Sequence, residues 1–378
     1  MYIYERKNWT DFIWNADQVL PILSSVRFLQ GNVLGKLNTM GFSTSDTMLT
    51  TTTLDVIKSS EIEGIKFDLK QVRSSVAKHL NIESEPKTNV DKNIDGVVEM
   101  MLDATQNYMA PLTKRRIQGW QAALFPTGYN GINEVRTGKY RNSEVNVVSG
   151  PVGREKIHFT GIPAEAVDWE MTKFTKWMNS NQGLDGLIKA AIAHLWFVTI
   201  HPFEDGNGRI ARAITDMLLA RDEKSKIRFY SMSNQLQKER KDYYNKLEGS
   251  QRGDCDITEW IVWFLNCFGS AIDDSKQIME QAITKARFWD MNKETIMNER
   301  QIKVVNKLLD GFDGKLTTSK WAKIANTSND TALRDIKDLI SKDILTKTDS
   351  GGRSTSYVIN PTDVCSIVRN FYSYIDES

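Results

Sequence analysis

Two apolar helical runs, separated by a short polar segment, constrain this sequence more than any other feature. The run at 187–200, LIKAAIAHLWFVTI, is apolar almost all round, which predicts a helix buried in the core of a large domain. Apolar residues recur at helical spacing at Ile210, Ile214 and Leu218, which predicts a second core-facing helix. The fold is therefore expected to be mainly α-helical, with the polar segment 201–212 at its centre.

The polar segment 201–212, HPFEDGNGRIAR, has the composition of a phosphate-binding loop. Gly206 and Gly208 break the helical pattern and let the backbone approach a ligand. The free N–H groups and the dipole of the following helix favour an anion at this position. Arg209 and Arg212 are three residues apart, so both project from one helix face, and guanidinium groups match phosphate oxygens well.

Two further side chains in the segment are suited to chemistry. His201, at the end of the buried helix, is placed to act as a general base. Asp205 is suited to Mg²⁺, a hard cation that prefers carboxylate and phosphate oxygens. The alternative is a structural glycine turn in which Arg212 pairs with Asp216 four residues on.

The segment resembles the Fic-family signature, His-x-Phe-x-Asp/Glu-Gly-Asn-Gly-Arg-x-x-Arg, at every defining position. Most Fic proteins are protein adenylyltransferases, which move AMP from ATP to a side-chain hydroxyl of another protein. The resemblance implies that His201 deprotonates the target hydroxyl and that Asp205 holds Mg²⁺ between the α- and β-phosphates. Phe203 is expected to anchor the loop in the core.

The resemblance also implies which residues contact the nucleotide. Asn207 and the backbone from Gly206 to Gly208 would cradle the α- and β-phosphates. Arg209 would contact the β-phosphate and Arg212 the γ-phosphate. On a helix predicted at 234–249, the second residue of a Tyr-Tyr pair, Tyr244, would lie near adenine.

A second motif stands on the N-terminal side, in a helix predicted to end at Gly64. Ser59-x-x-x-Glu63-Gly64 resembles the Fic inhibitory motif, Ser/Thr-x-x-x-Glu-Gly/Asn. The resemblance implies that Glu63 pairs with Arg212 and displaces the γ-phosphate, with Ser59 steadying the contact through Asn207. The alternative is an ordinary short helix with solvated glutamates.

Two segments predict smaller features near the core. Short alternating runs at 144–148 and 155–159 flank a Gly/Pro turn, which predicts a β-hairpin. In Fic proteins such a hairpin pairs with the target peptide by strand addition. His158 is expected on its solvent or target side, without a catalytic role. The glycine-rich stretch 125–140 is expected to be a long loop.

The C-terminal segment resembles a winged helix-turn-helix domain, with three predicted helices and a two-stranded wing at 346–359. Its predicted recognition helix exposes three aspartates, Asp335 among them. Residues 297–378 carry 12 Lys and Arg against 11 Asp and Glu. Tight DNA binding needs several cations on one face, so an interaction or dimerisation role is expected and DNA binding is not.

Length and composition set the outer limits. The 378 residues are expected to form an N-terminal helical region at 1–93, a Fic-like core at 94–292 and the winged-helix-like domain at 297–378. A net charge of +1 gives no global attraction to nucleic acid or membrane. Three widely spaced cysteines and a charged, aromatic N-terminus favour free thiols, no signal peptide and a cytoplasmic location. No apolar run approaches the ~20 residues of a membrane span.

The resemblance to the Fic family implies an enzyme, an adenylyltransferase that acts with ATP and Mg²⁺ on a Ser, Thr or Tyr hydroxyl of a protein and is held off by Glu63. The protein target is the expected partner, with a homodimer as a further possibility. Alternatives are a Fic enzyme that transfers another nucleotide or removes AMP, and a transcription regulator whose core senses nucleotide. An intact His201 speaks against a sensor, because binding alone needs no base.

Overall fold

The computed structural model describes residues 1–38, 45–82, 89–150, 154, 156–181, 183–310, 314–348 and 355–360. The described chain is mainly helical, with three two-stranded antiparallel sheets, as the sequence predicts. Its described residues divide into two compact units, one within Met1–Lys36 and Thr44–Ser275 and the other within Leu37–Ser43 and Lys276–Ser378. Within the described helices, no stretch combines the length and apolarity that crossing a membrane requires.

The first unit contains most of the helices. In chain order they are α1 (Ala16–Asn38, whose last two residues fall in the second unit), α2 (Ser45–Ile62), α3 (Leu69–His79), α4 (Lys92–Gln106), α5 (Lys114–Leu124), α6 (Val167–Asn179), α7 (Gly186–Ile200), α8 (Asn207–Glu223), α9 (Met232–Lys238), α10 (Arg240–Gln251) and α11 (Thr258–Asp274). The single helix predicted at 234–249 is thus divided into α9 and α10, which meet at Glu239.

The helices α7 and α8 form the centre of this unit and pack against each other. Every residue of α7 from Leu187 to Ile200 is buried except Lys189, which explains why its sequence is apolar all round. Asp185 caps α7, because its side chain accepts a hydrogen bond from the backbone N–H of Leu187 at 2.9 Å. The α4, α5 and α11 helices cover the central pair, so the segment between α7 and α8 is held on a rigid base.

The N-terminal region packs into the same unit as the core. Helix α2 contacts α3, α4, α8 and α9, and a buried ion network fixes it there. Asp55 on α2 contacts Arg228 at 3.0 Å, and the same guanidinium also donates to Asp216 on α8. Helices α2 and α3 of the N-terminal region therefore pack into the first unit, and the C-terminal part of the second unit begins at Lys276.

Two small sheets belong to the first unit. Strands β1 (Tyr129–Asn130) and β2 (Asn133–Glu134) pair within the segment expected to be a loop. The turn between them uses Gly131 at φ +60°, a conformation that glycine adopts readily. Strands β3 (Asn146–Ser149) and β4 (Lys156–Thr160) form the predicted hairpin, with a register shift between Val147 and Val148.

The second unit contains α12 (Lys276–Met291), α13 (Glu299–Leu309), α14 (Thr318–Ala325), α15 (Asn329–Ser341) and the paired strands β5 (Leu345–Lys347) and β6 (Tyr357–Ile359). The expectation that Asp335 is exposed on α15 is wrong, because it is buried and accepts hydrogen bonds from Arg300 at 2.9 and 3.0 Å. The tip of the predicted wing, Gly351-Gly352, lies outside the described residues. The winged-helix assignment stays a prediction.

Candidate active site

A cavity of about 570 Å³ opens beside the α7–α8 segment. Its walls come from the end of α2, the β3–β4 hairpin, the α7–α8 segment and α10. The residues that line it and bear on function are Glu63, Ser149, His158, His201, Asp205, Gly206, Asn207, Gly208, Tyr244 and Glu248. Sequence reasoning placed most of these residues in one site, and the structure brings them together.

His201 directly follows α7 and has left-handed backbone angles of φ 52° and ψ 61°. Its Nδ1 lies 3.1 Å from the carbonyl oxygen of Val198. Since a carbonyl only accepts, Nδ1 carries the proton and Nε2 keeps its lone pair. Burial lowers the pKa of His201 to about 4, so the ring is neutral at pH 7. The geometry therefore presents an imidazole base to the cavity.

Arg141 holds the backbone at this position. Its buried guanidinium donates from Nε to the carbonyl oxygen of His201 at 2.7 Å and from Nη1 to that of Ser143 at 2.8 Å, and Nη2 donates to the carbonyl of Ile162. Carbonyls at a helix C-terminus lack partners within the helix, and Arg141 supplies one. Sequence reasoning missed this residue, since a single arginine after a glycine-rich stretch has no pattern of its own.

Replacing Arg141 with methionine is expected to lower the rate of the AMP transfer that the sequence resemblance implies by ~10²-fold, because a misplacement of the His201 base by ~1 Å has that cost. Nucleotide binding should persist, since Arg141 does not line the cavity. Rates would be measured with labelled ATP and affinity by titration calorimetry. Lys139→Met is the matched control, because Lys139 is exposed. Equal rates in the two variants would contradict this positioning role.

The loop after His201 is shaped by Asn207. Its Oδ1 accepts from the backbone N–H of Phe203 at 3.0 Å, and its Nδ2 donates to the carbonyl of Phe203 at 2.8 Å. Phe203 is fully buried, as expected. Gly206 has φ +90°, which strongly favours glycine. The phosphate contacts predicted for Asn207, Gly206 and Gly208 stay predictions, and what the structure shows is that the Asn207 amide fixes the backbone of the loop.

Asp205 is half-buried at the edge of the cavity. Its Oδ2 accepts a hydrogen bond from Nδ2 of Asn130 on β1 at 2.6 Å, and its Oδ1 accepts from the backbone N–H of Gly206. A carboxylate oxygen has more than one lone pair, so this group fits a hard divalent cation shared with phosphate oxygens. Asn130 is a second residue that sequence reasoning missed.

The two arginines of the loop differ in their partners. Arg209 is buried with its guanidinium 5.1 Å from the ring centre of Phe125, and its Nε has no partner among the described residues. Arg212 is also buried, and its Nη2 donates to Glu63 Oε1 at 2.7 Å. The alternative in which Arg212 pairs with Asp216 is wrong, because Asp216 bonds Arg228 instead.

Helix α2 delivers Glu63 to this position. The helix ends at Ile62, and Gly64 follows in a left-handed conformation, φ +80°, with hydrogen bonds from Gly64 N to Glu61 O at 2.9 Å and from Ile65 N to Ser60 O at 3.0 Å. This is a Schellman ending. It turns Glu63 inward against Gly208, where an added Cβ would stand 2.1 Å from Glu63 Oε1.

Ser59 steadies the pair, but not through Asn207. Its Oγ accepts from Nε of Arg212 at 2.8 Å, and its carbonyl accepts from Nη2 at 2.8 Å. The predicted contact to Asn207 is wrong, because the amide of Asn207 is already bonded to the backbone of the loop. Ser59 and Glu63 therefore act on one guanidinium.

Tyr244 is half-buried and lines the cavity, as its predicted role requires. Its hydroxyl lies 3.5 Å from the carbonyl oxygen of Ile62, and the guanidinium of Arg240 stands 5.2 Å from its ring centre. Arg240 also donates to Ile62 O at 2.9 Å. The predicted contact of Tyr244 with adenine stays a prediction.

Comparisons with known proteins cover the segments that form this site. Residues 111–219 match the Fic/DOC family, and residues 2–82 match a domain of unknown function, DUF4172. Protein adenylyltransferase fic-1 of Caenorhabditis briggsae is 36% identical over 89 residues, 23% of this chain and 16% of that protein. Protein adenylyltransferase Fic of Culex quinquefasciatus is 28% identical over 226 residues, 58% of this chain and 40% of that protein. The chain thus spans less than half the length of these relatives.

A solved structure shares the fold. The Fic family protein from Desulfovibrio desulfuricans G20 aligns with a TM-score of 0.54 at 16% identity, over 90% of this chain and 95% of that one. The helical core, the glycine-containing loop and the hairpin beside it define a protein of the Fic fold. The match to the Fic/DOC family at residues 111–219 includes the 201–212 segment, and it confirms the resemblance found there.

Proposed function

We propose that the protein transfers AMP from ATP to a Ser, Thr or Tyr hydroxyl of a protein. The observation that carries the proposal is one cavity that joins the imidazole of His201 to the glycine-containing loop at the start of α8. Nε2 of His201 makes no hydrogen bond with the described residues, and Nε of the buried Arg209 lacks a partner among them too. The names of the similar adenylyltransferases support the choice of AMP.

In the proposed reaction the target hydroxyl oxygen attacks the α-phosphorus while its proton passes to Nε2 of His201. The new bond joins oxygen to phosphorus, and the bond to the bridging oxygen breaks so that pyrophosphate leaves. Catalysis then depends on positioning and on neutralising charge. Arg209 and the backbone N–H groups at the start of α8 supply positive potential. Mg²⁺ held by Asp205 would neutralise phosphate charge further.

The second part of the proposal is that Glu63 holds the enzyme off. Its carboxylate occupies Arg212, which in a productive complex would hold the γ-phosphate. ATP could then bind only with its γ-phosphate displaced. The remaining alternatives are transfer of another nucleotide, removal of AMP by the same site, and nucleotide sensing by a transcription regulator.

The experiment that tests the transfer uses the Glu63→Gly variant with Mg²⁺ and ATP labelled at either the α- or the γ-phosphate. Lysate proteins serve as acceptors. We expect protein-bound label from the α-position only. Label from the γ-position would mean phosphoryl transfer, and no label from either would contradict the proposal. Parallel reactions with labelled GTP, CTP and UTP test the alternative nucleotides.

Proline at Val147 is expected to impair transfer to proteins much more than ATP binding. Val147 pairs with Phe159 in the hairpin, and proline removes a backbone donor and fixes φ. In the part of the chain that the structure describes, β3 and β4 form a two-stranded sheet, so a target strand could add at its edge. Labelling and ATP titration would be compared with Val147→Ala, which keeps the N–H. Equal loss of both functions would make the hairpin a scaffold only.

A further inference from the structure

A hydroxyl, an imidazole and a carboxylate form a chain on the wall of the same cavity. Ser149 Oγ lies 2.6 Å from Nε2 of His158, and Nδ1 of His158 lies 2.8 Å from Oε2 of Glu248. All three line the cavity with His201. The sequence analysis and the proposed mechanism give these three hydrogen-bonded side chains no role.

The direction of the two hydrogen bonds follows from the carboxylate of Glu248. An ionised carboxylate only accepts, so Nδ1 of His158 is the donor toward Glu248. The hydrogen bond from His158 lowers the pKa of Glu248, which keeps this group ionised at neutral pH. With Nδ1 as the donor, Nε2 of the imidazole can accept the proton of the Ser149 hydroxyl 2.6 Å away. The oxygen of Ser149 thus points its lone pairs away from the imidazole, as an activated nucleophile requires.

Contacts with neighbouring residues hold Ser149, His158 and Glu248 in place. Ser149 is the last residue of β3 and pairs with Lys156, so His158 is its diagonal cross-strand neighbour. The guanidinium of Arg252 donates to the carbonyl of His158 at 2.9 Å and lies 3.4 Å from Glu248. Ser149 itself is exposed, so an electrophile can reach it.

We infer that Ser149 is an acceptor of the adenylyl group within the chain itself, with His158 as its proton acceptor and Glu248 orienting the imidazole. This inference rests on the proposed function. The Ser149 oxygen attacks the α-phosphorus of ATP, the bond to the bridging oxygen breaks, pyrophosphate leaves, and the hydroxyl proton passes to Nε2 of His158. The product is an AMP ester at the end of β3.

The test uses the full chain carrying Glu63→Gly, incubated with ATP and Mg²⁺ and analysed by peptide mass spectrometry. We expect AMP on the peptide that contains Ser149 and its loss from that position when Ser149→Ala is added. Thr160→Ala is the matched control, because Thr160 is a hydroxyl residue of the same hairpin that bonds Asn146 at 2.6 Å. The control should retain AMP on Ser149.

A further variant tests whether His158 acts as a base or only holds Ser149 and Glu248 in position. His158→Gln keeps a donor and an acceptor between Glu248 and Ser149 but cannot take up the proton. AMP on Ser149, relative to AMP at any other site, should fall by ~10²–10⁴-fold, the usual cost of losing a general base. Undiminished labelling of Ser149 in this variant would overturn the role of His158.

The outcomes also separate this inference from the proposed function. AMP on lysate proteins without AMP on Ser149 would overturn the inference and leave the proposed function intact. AMP on no protein at all, this chain included, would overturn both. AMP on Ser149 that persists in His158→Gln but not in His201→Ala would assign the proton to His201 and contradict our assignment.

Discussion

Replacing His201 with alanine in the Glu63→Gly background is expected to reduce AMP transfer to lysate proteins by ~10²–10⁴-fold, because the variant has no general base at the target hydroxyl. Nε2 of His201 is free of hydrogen bonds to the described residues while Nδ1 is held by the carbonyl of Val198. ATP affinity should change little, since the imidazole acts on the hydroxyl and not on the phosphates. Rates of labelling and calorimetric affinities would be measured side by side.

The control for this prediction is His79→Ala. His79 is half-buried on α3 and its Nε2 lies 3.1 Å from Asp95, outside the cavity, so this variant should transfer AMP at the parent rate. Near-parent activity in His201→Ala would contradict the mechanism. A parallel loss of ATP affinity would instead make His201 a binding residue.

The pH dependence of AMP transfer is a second test of the role of His201. Burial lowers the pKa of His201 to about 4, below the ordinary value of about 6.5 for histidine. The base is therefore neutral across pH 6 to 8, and its protonation should reduce the rate only as the pH falls toward 4. An acid limb of kcat/KM, which reports the free enzyme, with a midpoint near 6.5 would contradict the lowered pKa of His201.

The sequence alone could predict the local part of this site. The 201–212 segment is contiguous, so helix periodicity and two glycines are enough to place His201 and both arginines around one loop. The contact between Glu63 and Arg212 spans 149 residues, yet a resemblance to a known motif predicted it. Without that resemblance, a helix-end glutamate carries no signal for a partner so far along the chain.

The remaining contacts depend on tertiary packing. Arg141 reaches the carbonyl of His201 across 60 residues, and His158 reaches Glu248 across 90. No spacing rule connects such pairs, because the helices between them set the geometry. Asp335 shows the same limit. Its charge and its position on the predicted helix indicated an exposed residue. Its burial is possible because Arg300 donates two hydrogen bonds to the carboxylate.

Glu63→Gly is expected to raise AMP transfer by ~10²-fold over the parent protein, the factor that a misplacement of reacting atoms by ~1 Å costs. In the parent, the carboxylate holds Arg212 through a charge-assisted hydrogen bond of 2.7 Å and fills the space against Gly208. Without it, the guanidinium can meet the γ-phosphate, and the α-phosphate can align with the target hydroxyl. Transfer from α-labelled ATP to lysate proteins is the measurement.

Glu61→Gly distinguishes removal of the carboxylate from weakening of α2. Glu61 lies in α2, two residues before Glu63, and pairs with Lys58 at 2.7 Å. Glycine inside a helix costs about 1 kcal/mol relative to alanine, so Glu61→Gly destabilises α2 while leaving the inhibitory contact in place. If loosening of α2 were the cause of activation, Glu61→Gly would activate as well. We expect Glu61→Gly to transfer AMP at the parent rate. Glu63→Gln keeps the side-chain size but loses the charge, so this variant should be activated in part. Equal labelling by Glu63→Gly and the parent would remove the inhibitory role and leave the pair with Arg212 as a structural tie.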